Sequence, residues 1–397
     1  MTTAPLIPLH CLRHLEAGPP RQAALPTGTP VWLCTRHADV RQALTDPRLG
    51  RATLYAEDAP AVTLTPNILD VPGTLINLDG PEHQRLRRTV QRAFTPRAIE
   101  RWRPWVTSVI DGLLDELAAQ DGPVDVIGAF TRPLPVAVIS RLMGLDGLDM
   151  SRLGHWSDHA LSASAYTAEE IQTAMGEFAG FCHQLVTDRR KNPGDDLVSS
   201  LVQAADETEG VTDEQVIMLV LGLVVAGHET TMTTLGNALV YLLGRDRDAW
   251  ARIAESPEAA ATASEQVLRT IPLGDRDSFP GLLRRATEEL EIGGVTIPAG
   301  AIVAADTGSA NNDPAVYPPL PEDGRRDLFS PVGTPSLTFG AGPHHCLGAW
   351  LARMELEDGL HRLAARFPAL ELAVTEPDID WRTGLLTRSP NTLPVTW

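Results

Sequence analysis

Phe339-Gly-Ala-Gly-Pro-His-His-Cys-Leu-Gly348 is the stretch whose reading decides the fold. Its three glycines let the backbone bend closely around a neighbouring group. A helical pattern follows the cysteine over about 347–366, stopped by Pro368. A thiol among the free amides of a helix N-terminus is drawn towards the thiolate. Cys346 therefore reads as an anionic ligand, whereas a free cysteine elsewhere is usually a small buried hydrophobe. The adjacent side chains of His344, His345 and Cys346 diverge, which disfavours a tetrahedral zinc site.

Upstream lies the longest helical pattern, 213–243. It opens on Thr212-Asp-Glu-Gln215, a capping box, and is expected to end at Gly244 as a C′ residue. At 1.5 Å per residue it spans about 45 Å, so it must run through the core. Within it stands Ala226-Gly227-His228-Glu229-Thr230-Thr231. A mid-helix glycine costs about 1 kcal/mol relative to alanine, so Gly227 is expected to make room for a small ligand beside the backbone. Thr230 offers a hydroxyl donor, and Glu229 can relay protons from solvent.

The loop matches Phe-Gly-x-Gly-x-His-x-Cys-x-Gly at every fixed position and resembles the haem-binding loop of the cytochrome P450 family in its soluble bacterial form. Ala226 to Thr230 resembles the family's oxygen-binding motif, and the resemblance runs from about residue 30 to Trp397. It implies a mainly α fold with minor β structure, one large domain over 1–397, with β regions within 1–80 and 283–397 and a mainly helical 81–269. Haem b would be buried between the long helix and the helix after Cys346. Cys346 would be the axial ligand, in a loop including Phe339, Gly340 and Gly348, with Ala226 and Gly227 on the opposite side. Gly80-Pro-Glu-His83-Gln-Arg-Leu-Arg87 resembles the family's first haem-contacting helix, placing His83 and Arg87 on one face. With Arg284 and His344 they are the expected partners of the two propionates.

The implied reaction is reductive activation of dioxygen, with Thr230 and Glu229 as proton donors. Electrons would come from NAD(P)H through a separate ferredoxin and ferredoxin reductase, since the chain carries no flavin or nicotinamide fingerprint. The product would be a hydroxylated or oxidatively coupled small molecule. The pocket implied by the resemblance, Val71, Ile76, Val225, Leu385 and Leu386, is aliphatic, which points to a largely apolar substrate. Arginine almost wholly replaces lysine, a habit associated with GC-rich bacterial genomes, where such enzymes often tailor secondary metabolites. A peroxide-driven peroxygenase is the alternative within enzymes, opposed by the Glu229-Thr230 pair. A haem-based gas sensor or carrier is the alternative outside them, and would need a signalling surface.

Two places depart from the family. Its core helix carries Glu-x-x-Arg, but here Gln266 stands three residues before Arg269 and Glu265 four before it; either can reach the arginine. No arginine lies between Asp327-Leu-Phe-Ser-Pro331 and the cysteine loop; Arg325 and Arg326 precede that string.

The bulk properties agree with a globular enzyme. The chain has 397 residues, 43% of them hydrophobic, and no linker or repeat divides it. A net charge of −18 argues against a nucleic-acid partner. Cys11, Cys34, Cys182 and Cys346 are too scattered for a disulfide framework. The apolar run 216–227 is too short to cross a bilayer, and 1–8 has no signal-peptide pattern. A cytoplasmic monomer without a membrane anchor is expected. Between 84 and 103, Arg85, Arg87, Arg88, Arg92, Arg97, Arg101 and Arg103 face one acid, Glu100, a patch suited to steering an acidic ferredoxin. Further helices are expected at about 81–93, 96–119, 123–143, 150–163, 167–190 and 258–269. Strands are expected around 283–305, an irregular stretch at 314–335, and a hairpin from Leu385 to Trp397.

Overall fold

The computed structural model describes residues 16–65, 67–145, 147–274, 281–319 and 325–397. Cys11, the segment 1–8 and part of the expected irregular stretch lie outside them. Thirteen α-helices are described: α1 His37–Thr45, α2 Gly80–Gln91, α3 Pro96–Glu100, α4 Arg103–Ala118, α5 Pro133–Met143, α6 Met150–Ala160, α7 Ala168–Lys191, α8 Leu197–Asp206, α9 Asp213–Arg245, α10 Arg247–Glu255, α11 Pro257–Thr270, α12 Thr307–Ala310 and α13 Ala349–Arg366. The described strands are β1 Arg21–Ala24, β2 Pro30–Cys34, β3 Leu49–Gly50, β4 Val124–Asp125, β5 Leu282–Ala286, β6 Leu290–Ile292, β7 Val295–Ile297, β8 Ile302–Ala305, β9 Glu371–Leu372 and β10 Pro394–Thr396.

The β structure is marginal to the helices. One sheet has the order β1-β2-β8-β5-β3, with β2 and β8 parallel. A second is β4-β10-β9 and a third pairs β6 with β7. The main apolar core is built from α4 to α11 and α13, with α9 through its middle. By length and composition α9 could cross a membrane, but most of it is buried inside the protein, which accounts for its apolarity.

The capping box forms as expected: Gln215 N–H donates to Thr212 Oγ1 at 3.2 Å, and Thr212 N–H donates to Gln215 Oε1 at 3.2 Å. The far end differs. The helix passes through Gly244, and Asp246 both ends it and N-caps α10 through Ala249 N–H at 3.1 Å. The expected helix 96–119 is two helices, because Pro104 cannot continue a preceding turn and instead sits at the start of α4. The expected helix 123–143 begins as strand β4 and a π-helical turn, Ile127–Thr131, and becomes regular only from Pro133. Helices α1, α8, α10 and α12 were not expected. At the C-terminus, Trp381 bridges Pro390 around a tip at Gly384–Leu386, while β10 pairs with β4 and β9 instead of completing a hairpin with that tip.

The altered core helix resolves simply. Arg269 Nε donates to Gln266 Oε1 at 2.9 Å, its Nη1 donates to the Asn311 carbonyl at 2.7 Å, and its guanidinium lies 4.7 Å from the Tyr317 ring centroid. Gln266 in turn donates from Nε2 to the Ser330 carbonyl at 2.6 Å. Glutamine thus serves both sides, accepting from the arginine and donating to the meander. Gln266→Leu, which deletes both bonds and orphans a buried guanidinium N–H, is expected to cost about 2–3 kcal/mol. Gln266→Glu gains a charge pair but turns an oxygen on Ser330, and is expected to stay within about 1 kcal/mol of the parent. Denaturant titration of the haem-loaded protein checks both, and a larger loss for Gln266→Glu would contradict this division of roles.

Candidate active site

The cysteine loop is held by its own backbone. Cys346 N–H donates to the Phe339 carbonyl at 2.9 Å, closing the loop, and Gly348 N-caps α13. Gly342 needs its left-handed φ of 68°, and a Cβ there would lie 2.8 Å from the Leu44 carbonyl oxygen. Cys346 remains accessible although protein surrounds it, so it lies on the wall of a recess. Burial pushes its thiol up, against a hydrogen bond from Gly348 and the charges of Arg87 and Arg353. The expectation of a net lowered thiol is therefore corrected: the loop's amides pull in that direction, but desolvation exceeds them. A bound metal cation supplies the missing charge and deprotonates such a thiol outright.

The centre of α9 has one accessible stripe. Gly222, Leu223, Ala226, Gly227, Thr230 and Thr234 are open to solvent-sized space, while the residues between them are buried. At 100° per residue these six share one face. A helix buried on all other sides exposes such a stripe only where something other than protein fills the space. Thr230 lies in the stripe, its hydroxyl donating to the Ala226 carbonyl at 3.0 Å. Two expectations change here. Val225, named as a pocket residue, is 1% exposed and about 140° round the helix from the stripe's centre; Leu223 and Ala226 take that place. Gly227 has a packing reason: a Cβ on it would come 2.6 Å from Ile139 Cδ1, so the glycine lets α5 approach α9.

Glu229 is buried and turned away from the stripe. Its Oε1 accepts from Arg382 Nη1 at 2.5 Å and from Thr387 Oγ1 at 2.9 Å. Arg382 also binds Asp158 on α6, whose side chain is a third exposed. An acid–arginine–acid row therefore leads from the partly exposed Asp158 to the neighbour of Thr230. Neither Asp158 nor Arg382 was found from sequence, since they lie 71 positions before and 153 after Glu229 and carry no local signal.

The four expected anion partners come together. The His83 and His344 rings lie 4.3 Å apart, Arg87 Nη2 donates to the His345 carbonyl at 2.6 Å, and Arg284 is 3% exposed on β5. Burial, then the charges of His344 and Arg87, lowers the His83 pKa to about 4. Burial and the neighbouring Arg51 push Arg284 down to about 10. Asp79 is the acid of this cluster, 3.5 Å from His344 Nε2 and accepting the Arg51 and Ala52 amides at 2.7 Å each. His83 Nε2 is buried without a hydrogen-bond partner among the described residues. Two arginines and two histidine N–H donors gathered around a single acid suit a ligand carrying carboxylates. The unmet His83 nitrogen, the buried Arg284 whose head donates to the Leu283 carbonyl, the stripe and the accessible Cys346 together fit a flat metal complex bearing two propionates.

Among the remaining expected pocket residues, Val71 and Ile76 are half-buried before α2, Leu386 is half-buried at the C-terminal tip, and Leu385 is buried there, bridged to Ser162. The Gly384 carbonyl accepts the amides of Ala163, Ser164 and Ala165 at 2.8–3.0 Å, tying the tip to the α6–α7 connection.

Comparison with known proteins agrees with this geometry. Residues 159–395 match the family model described as Cytochrome P450. The chain is 41% identical over 382 residues to nocardicin C N-oxygenase of Nocardia uniformis subsp. tsuyamanensis, covering 96% of this chain and 92% of that protein. It is 40% identical to the mycinamicin IV hydroxylase/epoxidase of Micromonospora griseorubida, covering 96% and 93%. Among solved structures it is similar to cytochrome P450 TxtC, which carries out sequential aliphatic and aromatic thaxtomin hydroxylation, with a TM-score of 0.89 at 31% identity over 99% of this chain and 100% of that one.

Proposed function

The chain belongs to the cytochrome P450 family and is a haem b monooxygenase, and from that premise we propose that it oxidises a largely apolar secondary metabolite with electrons from NAD(P)H, delivered by a separate ferredoxin and ferredoxin reductase in the cytoplasm. The observation that carries the site assignment is the convergence of two arginines and two histidines beside an accessible cysteine at a helix start.

Cys346 would hold the haem iron through its sulfur, to which the Gly348 amide donates. His83, Arg87, Arg284 and His344 would hold the propionates. Haem held by a thiolate binds dioxygen, takes electrons singly and is biased towards O–O cleavage. The Ala226–Thr230 face bounds the space where oxygen reacts. There the Thr230 hydroxyl, released from the Ala226 carbonyl, donates a proton. Glu229 would replace it with a proton taken from water only once its side chain swings off Arg382, because a guanidinium keeps its own protons; Asp158 and Arg382 hold the acid in reserve until then. Val71, Ile76, Leu223 and Leu386, all partly exposed, would supply an apolar lining that orients substrate and excludes water. Relatives named for nocardicin C and mycinamicin IV support a natural-product substrate. Hydroxylation and oxidative coupling both fit such a lining. Titration with candidate natural products, followed by the Soret shift as water leaves the haem, tests the substrate class; polar analogues binding as tightly as apolar ones would refute it.

The carrier would dock on the arginine-rich surface of α2 to α4. Of the seven arginines, Arg88, Arg92, Arg97 and Arg101 are exposed. Arg87 points into the site, and Arg103 is bound to Glu100 and Asp358 at 2.9 and 2.6 Å. Beside them lies an open groove of about 350 Å³, lined by Arg97, Arg103, Trp350 and Arg353, with Trp350 48% exposed. Arg97→Glu with Arg101→Glu is expected to slow ferredoxin-dependent NADPH oxidation about fivefold at low salt, with the difference shrinking as salt screens it. An unchanged rate at low salt would remove this surface from the docking site.

A further inference from the structure

Glu265 stands one residue before the position where the family's core glutamate is expected, and it does not serve Arg269. Its carboxylate crosses to α13 and grips Arg353 at two points, Oε1 to Nε and Oε2 to Nη2, the latter at 3.4 Å. A two-point grip fixes a guanidinium plane as a single contact cannot. The held group lies 4.6 Å from the centroid of Phe339 and 5.4 Å from that of Trp350. Phe339 opens the cysteine loop, and its carbonyl accepts the Cys346 amide at 2.9 Å. A fixed positive charge therefore sits one ring away from the axial ligand's loop. Arg87 touches the same loop through the His345 carbonyl.

We infer that Arg353, positioned by Glu265, tunes how readily the haem held by Cys346 accepts an electron. The inference rests on the haem–thiolate reading above. A cation beside the thiolate stabilises the added negative charge when ferric haem takes one electron and becomes ferrous, so it raises the reduction potential. Glu265 does the reverse while holding the cation in place. The two charges act with opposite sign on one equilibrium. Their side chains are 22% and 32% exposed, so solvent screens them and the effect is moderate. Arg353 is a positioning residue, touching neither substrate nor reacting atoms.

The test is dye-mediated reductive titration of the isolated haem-loaded protein, without partners or substrate. Arg353→Gln is expected to lower the reduction equilibrium about threefold, roughly 28 mV more negative at 59 mV per tenfold for one electron. Glu265→Gln keeps an oxygen to hold Arg353 but removes the negative charge, and is expected to shift the potential by a similar amount in the positive direction. Arg353→Lys preserves the charge and is expected to recover most of the Arg353→Gln shift. A purely structural contact would move both partners' variants the same way. Shifts of the same sign, or no positive shift in Glu265→Gln, would overturn the inference. If Arg353→Gln loses haem, Glu265→Gln and Arg353→Lys still decide it. A parent protein lacking the thiolate spectrum would instead overturn the haem–thiolate reading beneath it.

Discussion

Cys346→Ala is expected to reduce monooxygenase turnover to the detection limit and to weaken haem retention. The loop closes on the Phe339 carbonyl through the Cys346 amide, and alanine keeps that bond, so the backbone should survive. What disappears is the anionic ligand. The Gly348 amide and the Arg87 and Arg353 charges, which favour a thiolate, then act on nothing. Without an anionic donor opposite the oxygen site, the bias towards O–O cleavage is lost. Cys346→His separates two effects, because imidazole can retain haem but is neutral. It is expected to restore haem content without restoring turnover. Product formation by Cys346→Ala at even a few per cent of the parental rate would contradict the assignment.

Thr230→Ala is expected to keep haem and substrate binding while product per NADPH falls several-fold and hydrogen peroxide rises to match. Thr230 lies on the accessible stripe of α9, with its hydroxyl parked on the Ala226 carbonyl, so its removal leaves no buried partner orphaned and little stability at risk. The lost group is a proton donor at the place where reduced oxygen must be protonated, and oxygen not protonated there leaves as peroxide. Measuring product and peroxide against NADPH consumed gives the coupling directly. Unchanged coupling would mean that the protons arrive by another path. Thr230→Ser, which retains the hydroxyl, should recover most of the coupling.

Features encoded locally were legible in the sequence. The cysteine loop depends on glycines and a helix start within ten residues, and the Thr212–Gln215 capping box is a contact between residues three apart. The divisions at Pro104 and Pro133 carried their signal in the missing proline N–H, yet continuous apolar periodicity masked it. Other features depend on which face a helix turns to its neighbours. Val225 lies one position from Ala226, but only packing reveals that one is buried and the other accessible. Gly227 has the same ambiguity, resolved by Ile139 of α5. Long-range charge partners were the least legible. Both Glu265 and Gln266 could reach Arg269 along the helix, and the choice was settled by Arg353, 88 positions away from Glu265, and by the Ser330 carbonyl. The row of Asp158, Arg382 and Glu229 likewise joins α6, the C-terminal tip and α9, so no stretch of sequence contains it.

The most direct measurement of the central claim is the difference spectrum of the freshly purified protein, reduced and exposed to carbon monoxide. A thiolate from Cys346 opposite the bound gas predicts a band near ~450 nm. A fully folded, haem-loaded protein with its band near ~420 nm would contradict thiolate ligation.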